Sequence, residues 1–303
     1  MNTKSLRKAA TFLFLAVLIS ACSFSADSAY RQSVEKWRQE YQASLTSDSG
    51  WLTVSGLFWL KEGDNRFGSA STNDIVLPAS APSSVGVLTL HSGKITARIN
   101  PGLDVTLDGK PAQAAELRPD AREDQLILGD LTLYVHASGN RLALRLKDRN
   151  SVLRKNFSGL HWFPIDESYA VTGNYIPYES PRVFDSQNVL GDAIKLTITG
   201  YVTFSLKGQE YRLEAGSANS GKSLFIVFRD LTSGKETYPA SRFLEAPTPI
   251  GGNGGLVLLD FNEAYNPPCA YNPFTTCPIP LPGNRLKVAI PAGEKLYKLD
   301  HGT

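Results

Sequence analysis

"LILGDLTLYVHASGNRLALRLKD", Leu126 to Asp148, decides the class of fold. Apolar residues recur at every second position, the period of a strand with one face in a core and the other in water. Ala137-Ser138-Gly139-Asn140 interrupts the pattern with turn formers, so the stretch reads as two antiparallel strands joined by a hairpin. The same texture continues upstream in "WLTVSGLFWL" (Trp51–Leu60), "SVGVLTL" (Ser84–Leu90), "KITARI" (Lys94–Ile99) and "DVTLDG" (Asp104–Gly109). Downstream it returns in "YAVTGNYIPY" (Tyr169–Tyr178), "AIKLTITGYVTFSL" (Ala193–Leu206), "YRLEA" (Tyr211–Ala215), "SLFIVFRD" (Ser223–Asp230) and "GLVLLDF" (Gly255–Phe261). No helix-length amphipathic segment separates these runs, which argues against a parallel βαβ sheet.

Only the N-terminal end has helical spacing. Tyr30, Val34, Trp37, Tyr41 and Leu45 share one face, with Arg31, Glu35, Lys36, Arg38 and Glu40 on the wet side, up to the breakers Ser47–Gly50. The expected fold is therefore mainly β: an N-terminal amphipathic helix, an antiparallel β-sandwich-like block, then a β-meander or barrel-like block. Helix and first block are expected over residues 30–155 and the second block over 156–303, joined around "FSGLHWFPIDESY" (Phe157–Tyr169).

The first residues read as an address. Lys4, Arg7 and Lys8 precede an apolar run from Phe12 to Ile19, too short for a permanent span of roughly 20 residues. Ile19-Ser20-Ala21-Cys22 resembles a bacterial lipobox. Residues 1–21 are thus expected to be a signal peptide, Cys22 the lipidated (palmitate-type) N-terminus, and 22–29 a tether. Ser23 rather than aspartate after Cys22 points, by analogy with Gram-negative lipoproteins, to an outer membrane lipoprotein facing the periplasm. Removing residues 1–21 takes away Lys4, Arg7 and Lys8 and no acid, which moves the formal charge from +2 to −1. Such a surface carries no footprint for nucleic acid. The partners expected are the membrane, through the lipid on Cys22, and a small molecule or an envelope protein.

Four stretches carry a resemblance: "GWLTVSGLFWLKEGDNRFGS" (Gly50–Ser69), "FSGLHWFP" (Phe157–Pro164), "DLTSGKETYPASRFL" (Asp230–Leu244) and "DFNEAYNPPCAYNPFTTCPIPLPGNR" (Asp260–Arg285). Together they resemble the bacterial and archaeal family called domain of unknown function 1684, which implies no established activity. "NRFGSASTNDIVLP" with "SSVGVLTLHSGKITAR" is also similar to the forkhead-associated β-sandwich. That resemblance implies a sandwich without phosphopeptide reading, because Gly68 is followed by Ser69 where that fold has arginine.

The Asp260–Arg285 stretch is where chemistry is expected. Irregular segments longer than about 12–15 residues are usually functional or disordered, and one this rich in Tyr, Phe and Cys is not disordered. In one reading, Asn262, Asn266 and Asn272 satisfy the loop's own backbone, Asp260 pairs with Arg285, and Arg285 opens a further strand to Ile290. In the other, Asp260 or Glu263 and Arg285 are catalytic or anion-binding groups, with Asn262, Tyr265, Asn266, Tyr271 and Phe274 lining a pocket. Cys269 and Cys277 form an even pair in an oxidising compartment, which suggests a disulfide, a reactive thiol being the alternative. His91, His136, His161 and His301 are scattered, so no metal is expected. There is no G-x-S-x-G elbow and no G-x-G-x-x-G before a helix, so no cofactor is expected either; a dispersed triad would leave no motif. A binding or scaffold lipoprotein is the first functional expectation, and a hydrolase-like envelope enzyme is the alternative.

Overall fold

The computed structural model describes residues 28–120, 124–249 and 254–297; the lipobox, Cys22 and His301 lie outside them. The described residues fall into two compact units that divide between Ala43 and Ser44. Within the described residues, helix α1 covers residues 28–46 and ends at the turn expected from Ser47–Gly50. On it, Trp37 and Tyr41 stack with ring centroids 5.4 Å apart. No described helix is long and apolar enough to cross a membrane. Among the described residues strand accounts for 46% against 16% helical, as the period-two reading requires.

The first block of the larger unit holds β1 (Val54–Trp59), β2 (Gly63–Gly68), β3 (Ile75–Val76), β4 (Gly86–His91), β5 (Lys94–Ile99), β6 (Thr106–Leu107), β7 (Lys110–Pro111), β8 (Ala114–Leu117), β9 (Leu126–Leu128), β10 (Leu131–Ser138) and β11 (Arg141–Asp148). They make two sheets, ordered β1-β11-β10-β9-β6-β7 and β3-β2-β4-β5-β8. All pairings are antiparallel except the short β2–β3 pair. Phe67, Leu88, Ile95 and Leu117 of one sheet and Leu131, Leu133, Val135, Leu144 and Leu146 of the other close a single core. The founding hairpin has the expected register, with Ser138 opposite Arg141 and Val135 opposite Leu144.

After the short helix α2 (Val152–Lys155) come β12 (Ala170–Gln187), β13 (Ala193–Leu206), β14 (Gln209–Ala218), β15 (Ser223–Phe228), β16 (Arg242–Pro247) and β17 (Gly255–Asp260). Their order, β16-β15-β14-β13-β12-β17, is a meander that the last strand rejoins on the far edge of β12. The two edge strands β16 and β17 lie beside each other, so the sheet is nearly closed and barrel-like. Val202, Phe204, Leu213, Leu224, Ile226, Phe228, Leu244, Leu259 and Phe261 fill it.

One expected strand is absent. Residues 285–290 make only an isolated bridge, Arg229 with Arg285. The segment still meets the main chain of residues 229–231, through Leu286 N to Arg229 O (2.8 Å) and Leu231 N to Val288 O (3.0 Å). Leu286, Ile290 and Ala292 enter the barrel core. Their alternation comes from capping that core, not from a ladder.

Candidate functional site

The Asp260–Arg285 stretch is folded, with short 3-10 turns at Phe261–Glu263, Pro268–Ala270 and Pro282–Asn284. Its asparagines replace missing ladder partners. Asn272 Nδ2 donates to the carbonyls of Trp51 (3.0 Å) and Val54 (2.7 Å) in the first block, while its Oδ1 accepts from Phe274 N. Asn284 bonds the main chain of Glu214 and Val227. Asn262 exchanges hydrogen bonds with the main chain of Asp166 and donates to Asp260 Oδ1 (3.0 Å). Arg285 is exposed, and among the described residues it forms no ion pair with Asp260. Tyr265 donates to Glu245 (3.2 Å), and burial first, then Glu245, raises its pKa. Glu263 and Phe274 are half-buried.

Asn266 and Tyr271 meet on Glu294. The Glu294 carboxyl group accepts from Asn266 N (2.8 Å), Asn266 Nδ2 (2.8 Å) and the Tyr271 hydroxyl, all buried. Gly293, at φ +79°, makes the turn that aims Glu294 inward; a Cβ there would meet the Phe261 carbonyl at 2.7 Å. On the other side of this turn Arg242, fully buried, donates to Asp230 Oδ2 (3.4 Å) and to the carbonyls of Ile290 (3.0 Å) and Ala292. This network is structural: it ties the C-terminal cap to β16.

Reactive geometry lies where the loop covers the first block. On β10 and β11 the inward residues are Leu131, Leu133, Val135, Leu144 and Leu146, which leaves Tyr134, His136, Arg145 and Lys147 on the outer face. An uncovered face would expose them, yet Arg145 is 4% exposed. The cover is the segment around Thr276. His136 Nδ1 is 2.8 Å from Asp120 Oδ1, and His136 Nε2 is 2.8 Å from Thr276 Oγ1. Arg145 Nη2 donates to the same Thr276 oxygen at 3.3 Å. Asp120 is steadied by Ala137 N, which donates to its other oxygen at 3.2 Å.

For a neutral imidazole these contacts suit one direction of the protons. A guanidinium only donates, so the Thr276 oxygen accepts from Arg145 and its own hydrogen is free to go to His136 Nε2. An imidazole that accepts at Nε2 carries its hydrogen on Nδ1, where Asp120 receives it. Burial by itself would raise the Asp120 pKa, but the hydrogen bond and charge of His136, the Ala137 amide and the Arg145 charge together hold it below the usual carboxylate value. Burial first, then the charge of Arg145, lowers the Lys147 pKa. Hydroxyl, imidazole and carboxylate stand in the order and polarity of a general-base-activated nucleophile. The guanidinium's Nε, buried and without a partner among the described residues, is an unused donor on the group that touches Thr276.

Beside Thr276, Cys269 and Cys277 are free thiols, so the expected disulfide is not formed. The Asp120–His136–Thr276 arrangement was not readable from motifs: the partners are 16 and 140 positions apart. The available signals were a histidine on the polar face of a regular strand and an unusually stiff loop far downstream. Among the described residues, no cluster of three His, Cys, Asp or Glu side chains could hold a metal ion.

Fold and site define a mainly β protein whose proline-rich loop brings a hydroxyl onto the imidazole of a neighbouring sheet. Residues 155–295 match the family model described as protein of unknown function DUF1684, and the chain belongs to that family. The matched segment holds Thr276, Cys269 and Cys277, whereas Asp120, His136 and Arg145 lie outside it. The chain is also similar to an uncharacterized protein of Haloarcula marismortui solved by solution NMR, with 32% identity over 49% of this chain and 81% of that one and a TM-score of 0.41. No curated protein matches.

Proposed function

We propose that the protein is a lipid-anchored envelope hydrolase in which Thr276 is the nucleophile, His136 its general base and Asp120 the group that orients His136. The observation that carries this reading is the Asp120–His136–Thr276 hydrogen-bond chain, with Arg145 donating to the same Thr276 oxygen. Thr276 Oγ1 attacks the carbonyl carbon of an ester or amide and passes its proton to His136 Nε2. The imidazolium is stabilised by Asp120 and returns the proton to the leaving group. Water then enters by the same route and releases the acyl group. In this reading the buried Arg145 guanidinium, whose Nε has no partner among the described residues, stabilises the oxygen that turns negative. The envelope location rests on the Ile19–Cys22 lipobox, and the anchor on acylation of Cys22. In this reading Asp260, Glu263 and Arg285 have no chemical role.

A second reading, a binding or scaffold lipoprotein, is supported by the same loop: Asn272 and Thr276 fasten the second block to the first whether or not Thr276 reacts. The two separate in one experiment. The full chain is exposed to a fluorophosphonate probe and to a series of p-nitrophenyl acyl esters, alongside Thr276→Ser, Thr276→Val and His136→Ala. Hydrolysis predicts labelling at residue 276 in the wild type and the serine variant. It also predicts loss of labelling and a rate fall of about 10²–10⁴-fold in the other two at nearly unchanged melting temperature. A folded wild type that neither labels nor hydrolyses any ester leaves the scaffold reading standing.

A further inference from the structure

Cys269 and Cys277 are unlike each other. Cys269 is half-buried, while Cys277 is 6% exposed in an apolar cluster with Val227 and Phe243. The Cys269 sulfur accepts a hydrogen bond from Cys277 N (3.1 Å) and shares the Thr275 hydroxyl hydrogen (2.9 Å) with the Asn272 carbonyl (3.0 Å), while the Cys277 thiol lies 3.9 Å from the Thr275 oxygen. In return Cys269 N donates to the Cys277 sulfur at 3.3 Å. Donors gathered on one sulfur favour its thiolate, and an apolar wall around the other favours its thiol. The Cys277 hydrogen bond leads the causes that lower Cys269 to about 7, with the charge of Arg145 adding to it; burial raises Cys277.

We propose that Cys269 and Cys277 are a redox-active dithiol, with Cys269 the attacking and Cys277 the resolving thiol in exchange with small disulfides of the glutathione type. The Cys269 thiolate attacks one sulfur of the disulfide. A mixed disulfide forms, and the other half leaves as a thiolate that takes up a proton. Cys277 then loses its proton and attacks the Cys269 sulfur, forming the Cys269–Cys277 bond and expelling the second thiol. Two protein thiols are oxidised while one external disulfide is reduced to two thiols. The asymmetry of the pair suits this order, because attack needs a thiolate within reach of solvent and resolution needs only a neighbour. Thr276 lies inside the ring that this bond closes, directly before Cys277, so the state of the pair bears on the segment that meets His136.

The test uses the full chain, reduced, desalted and equilibrated with oxidised glutathione, then acid-quenched, alkylated and mapped by peptide mass, with Cys22 followed on its own peptide. The expected result in the wild type is loss of alkylation at both Cys269 and Cys277 and appearance of their linked peptides. Cys277→Ser should accumulate glutathione on Cys269, and Cys269→Ser should leave Cys277 unmodified. A wild type that stays fully alkylatable at both positions in excess oxidised glutathione overturns the proposal. So does an adduct that forms on Cys277 in the absence of Cys269. The mass readout is independent of hydrolysis, so a protein that fails to label at Thr276 can still pass or fail here.

Discussion

Replacing Glu294 with glutamine should remove a loss of stability that the wild type suffers as the pH rises from 5 to 8. Glu294 is 1% exposed at the end of the barrel. Burial pushes its carboxyl from 4.5 up to about 7, against the pull of the Asn266 amides, the Tyr271 hydroxyl and the Arg242 charge. Local charge explains why those partners do not win. Arg242 and Asp230 already form a buried neutral pair, so an ionised Glu294 is the surplus charge. Between its two pKa values the unfolded chain has released a proton that the folded chain still holds. Stability from this group is therefore complete below pH 4.5 and falls as pH climbs through 7. A gap of two to three pKa units corresponds to about 3 kcal/mol. Glutamine keeps the shape and one of the two acceptor positions toward Asn266 but cannot ionise. Urea unfolding of both proteins at pH 5 and pH 8 isolates the term, because all other titrations cancel in the difference. The wild type should lose about 3 kcal/mol more than Glu294→Gln over that interval. Equal losses in the two proteins would refute the argument that Glu294 is protonated in the fold.

Arg242→Met should destabilise by about 3–5 kcal/mol by leaving Asp230 a buried charge without its partner, and adding Asp230→Asn should recover part of it in the same denaturant assay. Asn272→Ala removes both bonds to the Trp51 and Val54 carbonyls, costing about 1–3 kcal/mol; it should lower probe labelling at Thr276 more than Asn284→Ala, whose bonds stay within the second block. Asp120→Asn should reduce ester hydrolysis by about 10²–10⁴-fold with little change in melting temperature, since this carboxyl is half exposed; full activity in this variant would remove Asp120 from the mechanism.

The strands were legible because their alternation is the direct imprint of one buried face, as Leu131, Leu133 and Val135 show on β10. Helix α1 was legible for the same reason at a different period. Arg145 shows the limit: "RLALRLKD" alternates like its neighbours, so nothing local says that its polar face will be covered. Residues 285–290 carried the pattern of a strand without the partner that would make one. The asparagines of the loop bond carbonyls of other segments more than the loop's own backbone, as an amide side chain that imitates a backbone peptide can. Thr276 and His136 meet through tertiary packing alone, and no spacing rule reaches across two blocks.

Asn272 bonds to residues 221 and 218 positions earlier, and the same seam holds Thr276 against His136. Closing a chain segment of that length has an entropy cost of about 5 kcal/mol plus a constant, and nothing in the seam offsets it until the second block exists. Order of assembly follows from this. As the chain emerges, the sandwich can close on its own local hairpins while Tyr134, His136 and Arg145 still face solvent. The hydroxyl arrives only when almost the whole polypeptide has been delivered and the barrel has formed, so the site is completed last and a truncated or half-exported chain cannot possess it.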